Sequence, residues 1–230
     1  MAIERLAHRG ARIELPENTL AAFARAFERG ANAIELDVHA TSDGVVVVHH
    51  DPELGFAVST ARCAIADLTW QDVDATATVT GISVPTLTEV LAIVPPDATV
   101  YVEIKGSGIE LLVADVIGRS SARCAVHSFD HATIERFKQI APDVPRGLLF
   151  EGNAEQFDVE VQRIGAREVW PHYSLVDADL VARARALGAR TIVWTVNDAA
   201  ELRRLAGLGV DGICTDDVRL LDGLELRTLA

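Results

Sequence analysis

The chain has 230 residues, of which 49% are hydrophobic and 24% charged, and its 34 acidic and 21 basic side chains leave a formal net charge of −13. This composition is typical of a folded globular protein and excludes a disordered or low-complexity chain. The acidic balance argues against nucleic-acid binding and against binding to an anionic membrane surface, because both need a basic surface.

Short apolar runs alternate with helical patterns along the chain. The first two runs span residues 3–8 and 33–38, and apolar residues at helical spacing lie between them. From residue 99, further runs begin every 21–24 residues, near Thr99, Arg123, Pro145, Arg167, Arg190 and Asp211. Eight strand–helix units predict a (β/α)8 TIM barrel that forms a single domain over residues 1–230. A doubly wound open sheet is the alternative, but the first turn lacks the glycine-rich pattern of that fold.

Two segments interrupt this alternation. Asp43-Gly44 lies between β-rich residues and predicts a β-hairpin extension after the second strand. With a two-residue turn, paired positions sum to 87, which places His50 opposite Asp37 and turns His49 to the other face. Residues 51–85 form a short insertion with one weak helix near 70–75, which we expect to lie over one mouth of the barrel.

Polar side chains follow the first three predicted barrel strands, at the barrel end where active sites of this fold lie. They are His8 and Arg9 after the first strand, Glu35 and Asp37 on the second, and Glu103 and Lys105 on the third. Residues two apart on a strand share a face, so three carboxylates converge and would repel each other without a cation. Ligation by oxygen atoms alone favours Mg²⁺ or Ca²⁺ over zinc.

The same mouth holds the groups that phosphoryl transfer needs. A metal ion with Arg9 and Lys105 would neutralise phosphate oxygens, and the imidazoles of His8 and His50 have the proton affinity of a general acid and base. These positive charges would also let an acidic protein bind an anionic substrate.

Seven motifs in order resemble those of the glycerophosphodiester phosphodiesterase family. They are His8-Arg9-Gly10, Pro16-Glu17-Asn18-Thr19, Glu35-Leu36-Asp37-Val38, Asp43-Gly44 leading to His50-Asp51, Val102-Glu103-Ile104-Lys105, Ser128-Phe129-Asp130 and Val193-Trp194-Thr195-Val196-Asn197. The sequence departs from the family at Val218, where proline is frequent, and at Gly55-Phe56-Ala57, where a polar turn is common.

The resemblance implies a (β/α)8 barrel that hydrolyses glycerophosphodiesters to glycerol 3-phosphate and an alcohol. It implies acid and base roles for His8 and His50 and a divalent metal ion, Mg²⁺ or Ca²⁺, on Glu35, Asp37 and Glu103. It further implies that Arg9 and Lys105 bind phosphate and that Phe129 and Trp194 form a wall of the site.

Other residues near the strand ends have more than one interpretation. We predict a substrate contact for His172. For His39 we predict a position at the rim or behind the residues that contact the ligands, not a ligand role. Glu17 and Asn18 are interpreted either as caps of the first helix or as contacts of the site. Alternation along the strand leaves open which way His127 points.

Two other functions are considered beside this hydrolase. A lysophospholipase D or sphingomyelinase D-like enzyme on the same barrel would favour an apolar mouth and a secreted, disulfide-bonded chain. An inactive barrel that only binds phosphodiesters would lack a histidine or carboxylate of the set, and none is missing.

The sequence also bears on location and partners. No apolar leader or membrane-length run occurs, and Cys63, Cys124 and Cys214 have no close spacing. We therefore expect a cytoplasmic protein with a small-molecule substrate, no nucleic-acid partner and no membrane span.

Overall fold

A computed structural model describes residues 3–55, 62–81, 83–152, 154 and 156–224. Within these residues, the strands are β1 Glu4–His8, β2 Ala33–Ala40, β3 Val46–Val48, β4 Glu53–Gly55, β5 Arg62–Ala64, β6 Thr99–Ile104, β7 Arg123–Ser128, β8 Arg146–Phe150, β9 Glu168–Pro171, β10 Arg190–Val193 and β11 Gly212–Thr215. The helices are α1 Leu20–Glu28, α2 Trp70–Thr80, α3 Leu87–Ala92, α4 Glu110–Gly118, α5 His131–Ile140, α6 Phe157–Ile164, α7 Ala178–Ala186 and α8 Ala199–Leu208.

Eight parallel strands of the described chain close into a barrel. Their order is β1-β2-β6-β7-β8-β9-β10-β11, and β1 pairs with both β2 and β11. Each strand contributes one side chain to an apolar cluster in the barrel interior, and these are Leu6, Ala33, Tyr101, Ala125, Leu149, Trp170, Ile192 and Cys214. Gly147 makes room for the largest of them, because a Cβ there would lie 2.6 Å from the indole nitrogen of Trp170. The predicted (β/α)8 TIM barrel is confirmed.

Short polar side chains begin the helices that cover the barrel. Thr19, Asp130, Asp177 and Asp198 each accept a hydrogen bond from a backbone N–H in the first turn of α1, α5, α7 and α8. These bonds satisfy donors that a helix end otherwise leaves unpaired. The apolar faces of the helices then pack on the outside of the strands.

The hairpin after β2 exists, but its predicted register is wrong by one residue. Val38 pairs with Val48 and His39 with Val47, so paired positions sum to 86. The backbone N–H of His49, not that of His50, donates to the Asp37 carbonyl. The loop has three residues because Gly44 adopts φ 85°, the left-handed residue of a three-residue hairpin loop.

The insertion after the hairpin forms a small unit over the barrel. It contains the antiparallel pair β4–β5, which the sequence did not predict, and α2, which begins where the predicted helix begins. Val47, Leu54, Ile65, Val73 and Val84 form its core. Phe56 and Ala57, the departure from the family pattern, lie outside the described residues. Across the described ranges, no helix is both long and apolar enough to cross a membrane.

The amino end of the barrel buries an ionisable cluster at the starts of the strands. Glu4 accepts from Tyr101 at 2.7 Å and from Arg190 at 2.5 Å, and Arg190 lies 3.6 Å from a Glu168 oxygen. Burial raises the pKa of Glu168 to about 7, although Arg190 and the indole N–H of Trp170 act in the opposite direction. Ionisation of Glu168 therefore lowers the free energy of unfolding of the protein.

This cluster predicts how stability depends on pH. The folded protein raises the pKa of Glu168 above its ordinary 4.5, so stability from the neutral carboxyl is present below 4.5 and is lost as pH rises through 7. We expect Glu168→Gln to raise the free energy of unfolding at pH 8 by roughly 1–3 kcal/mol and to lose this gain as pH falls towards 4.5. Urea unfolding at several pH values measures the difference between variant and wild type. The exposed carboxylate of Glu28 supplies the control, and Glu28→Gln should not reproduce the gain in stability of Glu168→Gln at pH 8. A Glu168→Gln protein less stable than wild type at pH 8 would contradict the prediction.

Candidate active site

The carboxyl ends of the barrel strands surround a cavity of about 300 Å³. Of the predicted site residues, those that line it are His8, Arg9, Glu35, His50, Glu103, Lys105, Phe129 and Trp194. Asp37 is fully buried between Arg9 and Lys105, and His172 stands outside the residues that line this cavity. The structure therefore brings most of the predicted set to one mouth.

The three predicted metal-ligating carboxylates have different surroundings. Asp37 and Glu103 are directly paired on β2 and β6, and Lys105 lies 3.0 Å from Glu103 Oε1 and 3.5 Å from Asp37 Oδ1. The other oxygen of Asp37 accepts a hydrogen bond from Asn18 at 2.9 Å and lies 3.0 Å from Arg9 Nε. Among the described residues, Glu35 Oε2 and Asp37 Oδ1 are buried and have no hydrogen-bond partner.

The surroundings of these carboxylates suit a divalent cation. Burial, followed by the charge of Asp37, raises the pKa of both Glu35 and Glu103 to about 7. Burial acts the same way on Asp37, but Arg9, Lys105 and Asn18 outweigh it and lower the pKa of that carboxyl. Two nearby cations against three acids leave a deficit of positive charge. Buried oxygen donors without partners would satisfy a hard metal ion such as Mg²⁺ or Ca²⁺.

The two residues whose side chains hold Asp37 in place have a strained backbone. Arg9 and Asn18 are the two non-glycine residues of the described chain with positive φ, at 57° and 56°. Their side chains are the two that approach Asp37 Oδ2. Such conformations disfavour a residue with a Cβ and concentrate at functional sites. The interpretation of Asn18 as a helix cap is wrong, since Thr19 is the N-cap of α1.

His127 is a neighbour of the carboxylates that the sequence did not place. It pairs with Glu103 across β6 and β7, and its Nε2 atom lies 3.7 Å from Glu35 Oε1. Three potential ligand atoms lie within 4.8 Å of one another, one each from Glu35, Glu103 and His127. Burial lowers the pKa of His127 to about 4, so its imidazole is neutral at neutral pH.

His8 is oriented by a carboxylate from the last strand. Ala7 pairs with Thr215, so the next residues, His8 and Asp216, leave the barrel side by side. The Nδ1 atom of His8 lies 2.7 Å from Asp216 Oδ1, and Asn197 donates to Asp216 Oδ2 at 2.7 Å. Burial by itself would raise the pKa of Asp216. The hydrogen bond and charge of His8, together with the Asn197 and Arg12 contacts, outweigh burial and lower that pKa below its ordinary 3.8, so the carboxyl is ionised.

An ionised Asp216 accepts a hydrogen bond from His8 Nδ1–H and leaves His8 Nε2, 4.0 Å from Glu35 Oε2, for the substrate. Asp216 is a functional residue that our sequence analysis missed. The available signal was its position after the last strand, which closes against the first strand of a barrel.

His50 has a similar arrangement. Its Nδ1 atom lies 2.8 Å from Asp51 Oδ1, so this imidazole also donates Nδ1–H and leaves Nε2 free. The backbone carbonyl of His50 accepts from His39 Nε2 at 3.2 Å. His39 is thus buried and bonds the backbone of His50, which matches the predicted position behind the contacting residues and not the one at the rim. His49 bonds the Asp51 carbonyl and stays outside the catalytic cavity.

Aromatic side chains form an apolar wall of the cavity that also holds the charged groups. Phe129 and Trp194 both line the cavity and meet edge to face with ring centroids 5.3 Å apart. The Trp194 indole donates to the Trp170 carbonyl at 2.8 Å. The ring centroids of His172 and Trp194 are 5.4 Å apart, and His172 bonds Ser174, so His172 packs behind this wall. Its substrate contact stays a prediction.

Two arginines share Glu17 at the entrance to the cavity. Arg9 donates to one oxygen of Glu17 at 2.9 Å, and Arg12 lies 2.6 Å from the other. Arg12 also lies 3.4 Å from Asp216, so it links the loop after β1 to the His8 pair. Glu17 is therefore a contact of the site, not a cap of α1.

A barrel whose mouth joins clustered carboxylates to two oriented histidines and two cations has the composition of a phosphoryl-transfer enzyme. The chain belongs to the glycerophosphoryl diester phosphodiesterase family, whose sequence model matches residues 8–220. This confirms the predicted family and the predicted class of enzyme, a phosphodiesterase.

Individual relatives match along nearly their whole length. The glycerophosphodiester phosphodiesterase of Caldanaerobacter subterraneus subsp. tengcongensis is 34% identical over 95% of this chain and 96% of its own. The crystal structure of the glycerophosphodiester phosphodiesterase from Thermotoga maritima has a TM-score of 0.85 at 28% identity and covers 98% of this chain and 99% of that one. An Oleispira antarctica phosphodiesterase, solved in complex with the product sn-glycerol-3-phosphate, shares the fold with a TM-score of 0.85 at 21% identity and covers 97% of this chain and 96% of that one.

Proposed function

We propose that this enzyme hydrolyses glycerophosphodiesters to glycerol 3-phosphate and an alcohol, with His8 and His50 as proton-transfer groups. A divalent metal ion, Mg²⁺ or Ca²⁺, would be held by Glu35, Asp37 and Glu103. One observation carries the proposal. Two imidazoles of one cavity each have Nδ1 on a carboxylate, which leaves each Nε2 available beside a cluster of buried acids.

Substrate binding relies on the positive groups of the mouth. The metal ion, when bound, would withdraw charge from the phosphate oxygens and so stabilise the charge of the transition state. Arg9 and Lys105 line the same cavity and are directed at the carboxylates by ion pairs, close enough to contact a phosphate there. Phe129 and Trp194 would cover the carbon atoms of the glycerol moiety, which excludes water from that side.

The histidines divide the two proton transfers. His8 would accept the proton of the attacking oxygen as the new O–P bond forms, because Asp216 stabilises the imidazolium that results. His50, when protonated on both ring nitrogens, would donate the Nε2 proton to the alcohol oxygen as its P–O bond breaks. This assignment is supported by a second cavity of about 410 Å³, which His50 also lines together with Pro16, Val48 and Leu54. Glycerol phosphate would occupy the first cavity and the leaving alcohol the second.

The attacking oxygen belongs either to water or to the neighbouring glycerol hydroxyl. Attack by the hydroxyl forms a cyclic glycerophosphate that water must then open, whereas direct attack by water forms none. Phosphorus-31 NMR during turnover of glycerophosphocholine separates the two routes.

Asp216 provides a prediction about the orientation of His8. In Asp216→Asn, the Asn197 donor would keep the carbonyl oxygen of the new amide, so the amide NH₂ would face His8 Nδ1. His8 would then carry its proton on Nε2 and lose the lone pair that the base needs. We expect kcat to fall on the order of 10²-fold or more, as when the carboxylate of a histidine pair is replaced elsewhere. Nitrogen-15 NMR of His8 should report the change of tautomer.

A neighbouring carboxylate supplies the control for this variant. Asp217 bonds Arg219 and the turn that follows β11, and within the described part of the chain it forms no hydrogen bond or ion pair with His8. Asp217→Asn should therefore keep kcat and the His8 tautomer of the wild type. Equal losses in both variants would indicate a general disturbance of the last loop and contradict the role of Asp216.

The assay of the proposed function is release of glycerol 3-phosphate from purified enzyme and defined diesters. Glycerophosphocholine, glycerophosphoethanolamine and glycerophosphoglycerol test the small headgroups, and lysophosphatidylcholine and sphingomyelin test the lysophospholipase D-like and sphingomyelinase D-like alternatives. Turnover of the lipids alone would overturn the proposed substrate, and binding without turnover of any diester would favour the inactive barrel. We further propose a cytoplasmic location and a small-molecule substrate without a nucleic-acid partner.

A further inference from the structure

We infer that His127 supplies a nitrogen ligand to the metal ion and that the site therefore prefers Mn²⁺ to Ca²⁺. This inference rests on the metal dependence proposed above. It adds a donor to the three carboxylates and changes which ion the site selects.

The position of His127 suits a shared ion. β7 lies next to β6, and His127 is in register with Glu103, which is in register with Asp37 on β2. The Nε2 atom of His127 lies 3.7 Å from Glu35 Oε1, and ligand atoms of the two glutamates and His127 lie within 4.8 Å of one another. Donors that bind one first-row ion at about 2.1 Å each lie roughly 3–4 Å apart, so small side-chain movements would bring all three onto one ion.

The imidazole of His127 is held by packing against aromatic rings rather than by hydrogen bonds of its Nδ1 atom. His127 is 1% exposed, and its ring lies 4.3 Å from that of Trp170 and 6.4 Å from that of Tyr101. Its Nδ1 atom is buried without a hydrogen-bond partner among the described residues, and Nε2 is beyond hydrogen-bond distance of Glu35. An ion bound to Nε2 would give that nitrogen a partner and would leave the proton of the neutral ring on Nδ1.

The donor set then decides the ion. Ca²⁺ takes six to eight oxygen ligands at 2.3–2.6 Å and gains little from an imidazole held on a rigid strand. Imidazole nitrogen suits transition metals, while the carboxylates of Glu35, Asp37 and Glu103 suit Mg²⁺, Ca²⁺ and Mn²⁺. Mn²⁺ shares the octahedral oxygen ligation of Mg²⁺ and, as a transition metal, gains more from an imidazole nitrogen than Ca²⁺ does.

Pulsed electron paramagnetic resonance of Mn²⁺ bound to the metal-free wild-type enzyme tests the ligand directly. We expect one bound Mn²⁺ with a nitrogen-14 coupling typical of imidazole. Bound Mn²⁺ without that coupling would overturn this inference and leave the carboxylate site intact. Failure of Mn²⁺ to bind at all would overturn the inference, whereas the proposed metal dependence is overturned separately, by turnover that persists in EDTA. Neither result depends on the folding of a variant.

The variant His127→Gln identifies the nitrogen and tests selectivity. We expect it to lose the imidazole coupling, and we expect the ratio of Ca²⁺ to Mn²⁺ dissociation constants from competition titrations to fall on the order of tenfold. His131→Gln is the matched control, because His131 bonds the Leu149 carbonyl and is not among the described residues that line the catalytic cavity. A coupling that persists in His127→Gln, or an unchanged ratio in a folded variant, would overturn the inference.

Discussion

Replacing His8 or His50 by alanine is expected to lower kcat for glycerophosphodiester hydrolysis by about 10²–10⁴-fold, the usual contribution of a positioned acid or base. Each imidazole is held by a carboxylate, and each variant leaves the other half of the proton transfer in place. KM should change far less than kcat, because the proposed mechanism assigns substrate binding to Arg9, Lys105 and the metal ion rather than to the histidines. Initial rates of glycerol 3-phosphate release at saturating metal concentration measure both constants.

The control for these variants is a histidine of the same mouth. His172→Ala removes an imidazole that supports Trp194 from outside the residues lining the catalytic cavity, so kcat should stay close to the wild-type value. Full activity of either His8→Ala or His50→Ala would contradict the two-histidine mechanism. A large loss of kcat in His172→Ala would instead support the predicted contact between His172 and the substrate.

Removal of divalent metal with EDTA is expected to abolish turnover, and readdition of metal should restore it. The ion would supply several kcal/mol of charge stabilisation to the transition state, which corresponds to about 10³-fold in rate or more. Binding should also stabilise the folded enzyme, by about 2.7 kcal/mol when free metal exceeds its dissociation constant a hundredfold. The melting temperature with and without metal therefore gives a measurement independent of activity.

Two glutamates separate a specific site from a general effect of salt. Glu35→Gln should weaken metal binding and remove most of the metal-dependent rise in melting temperature, since Glu35 offers a buried oxygen without a partner in the described chain. Glu28→Gln changes an exposed carboxylate of α1 and should leave that rise intact. Turnover that persists in EDTA, together with an unchanged melting temperature, would contradict the proposed metal dependence.

The barrel could be predicted from the sequence because its signals are local. Asp177 and Asp198 cap helices as expected, since a capping side chain acts on backbone groups two or three residues away. The ends of the strands could also be predicted, and in a parallel barrel the carboxyl ends of all strands lie at one mouth. For the same reason Glu35, Asp37 and Glu103 could be placed together, because alternation along a strand sets the face that each occupies.

What the tertiary structure alone decided depends on single-residue shifts and on contacts between distant strands. Asp43-Gly44 predicted a hairpin, but one left-handed glycine lengthened the loop and moved the register from His50 to His49. His127 is lumenal only because the register of β7 against β6 sets it beside Glu103. Such offsets leave no trace in composition or periodicity.

Closure of the barrel accounts for the rest. His8 and Asp216 are 208 residues apart in the chain, and they meet because β11 pairs with β1. The sequence by itself thus determined the fold, the family motifs and the presence of histidines and acids at one mouth. Only the closed barrel decided which carboxylate orients His8 and which imidazole faces the buried acids, because those partners are set by strand pairing across the ring rather than by neighbours along the chain.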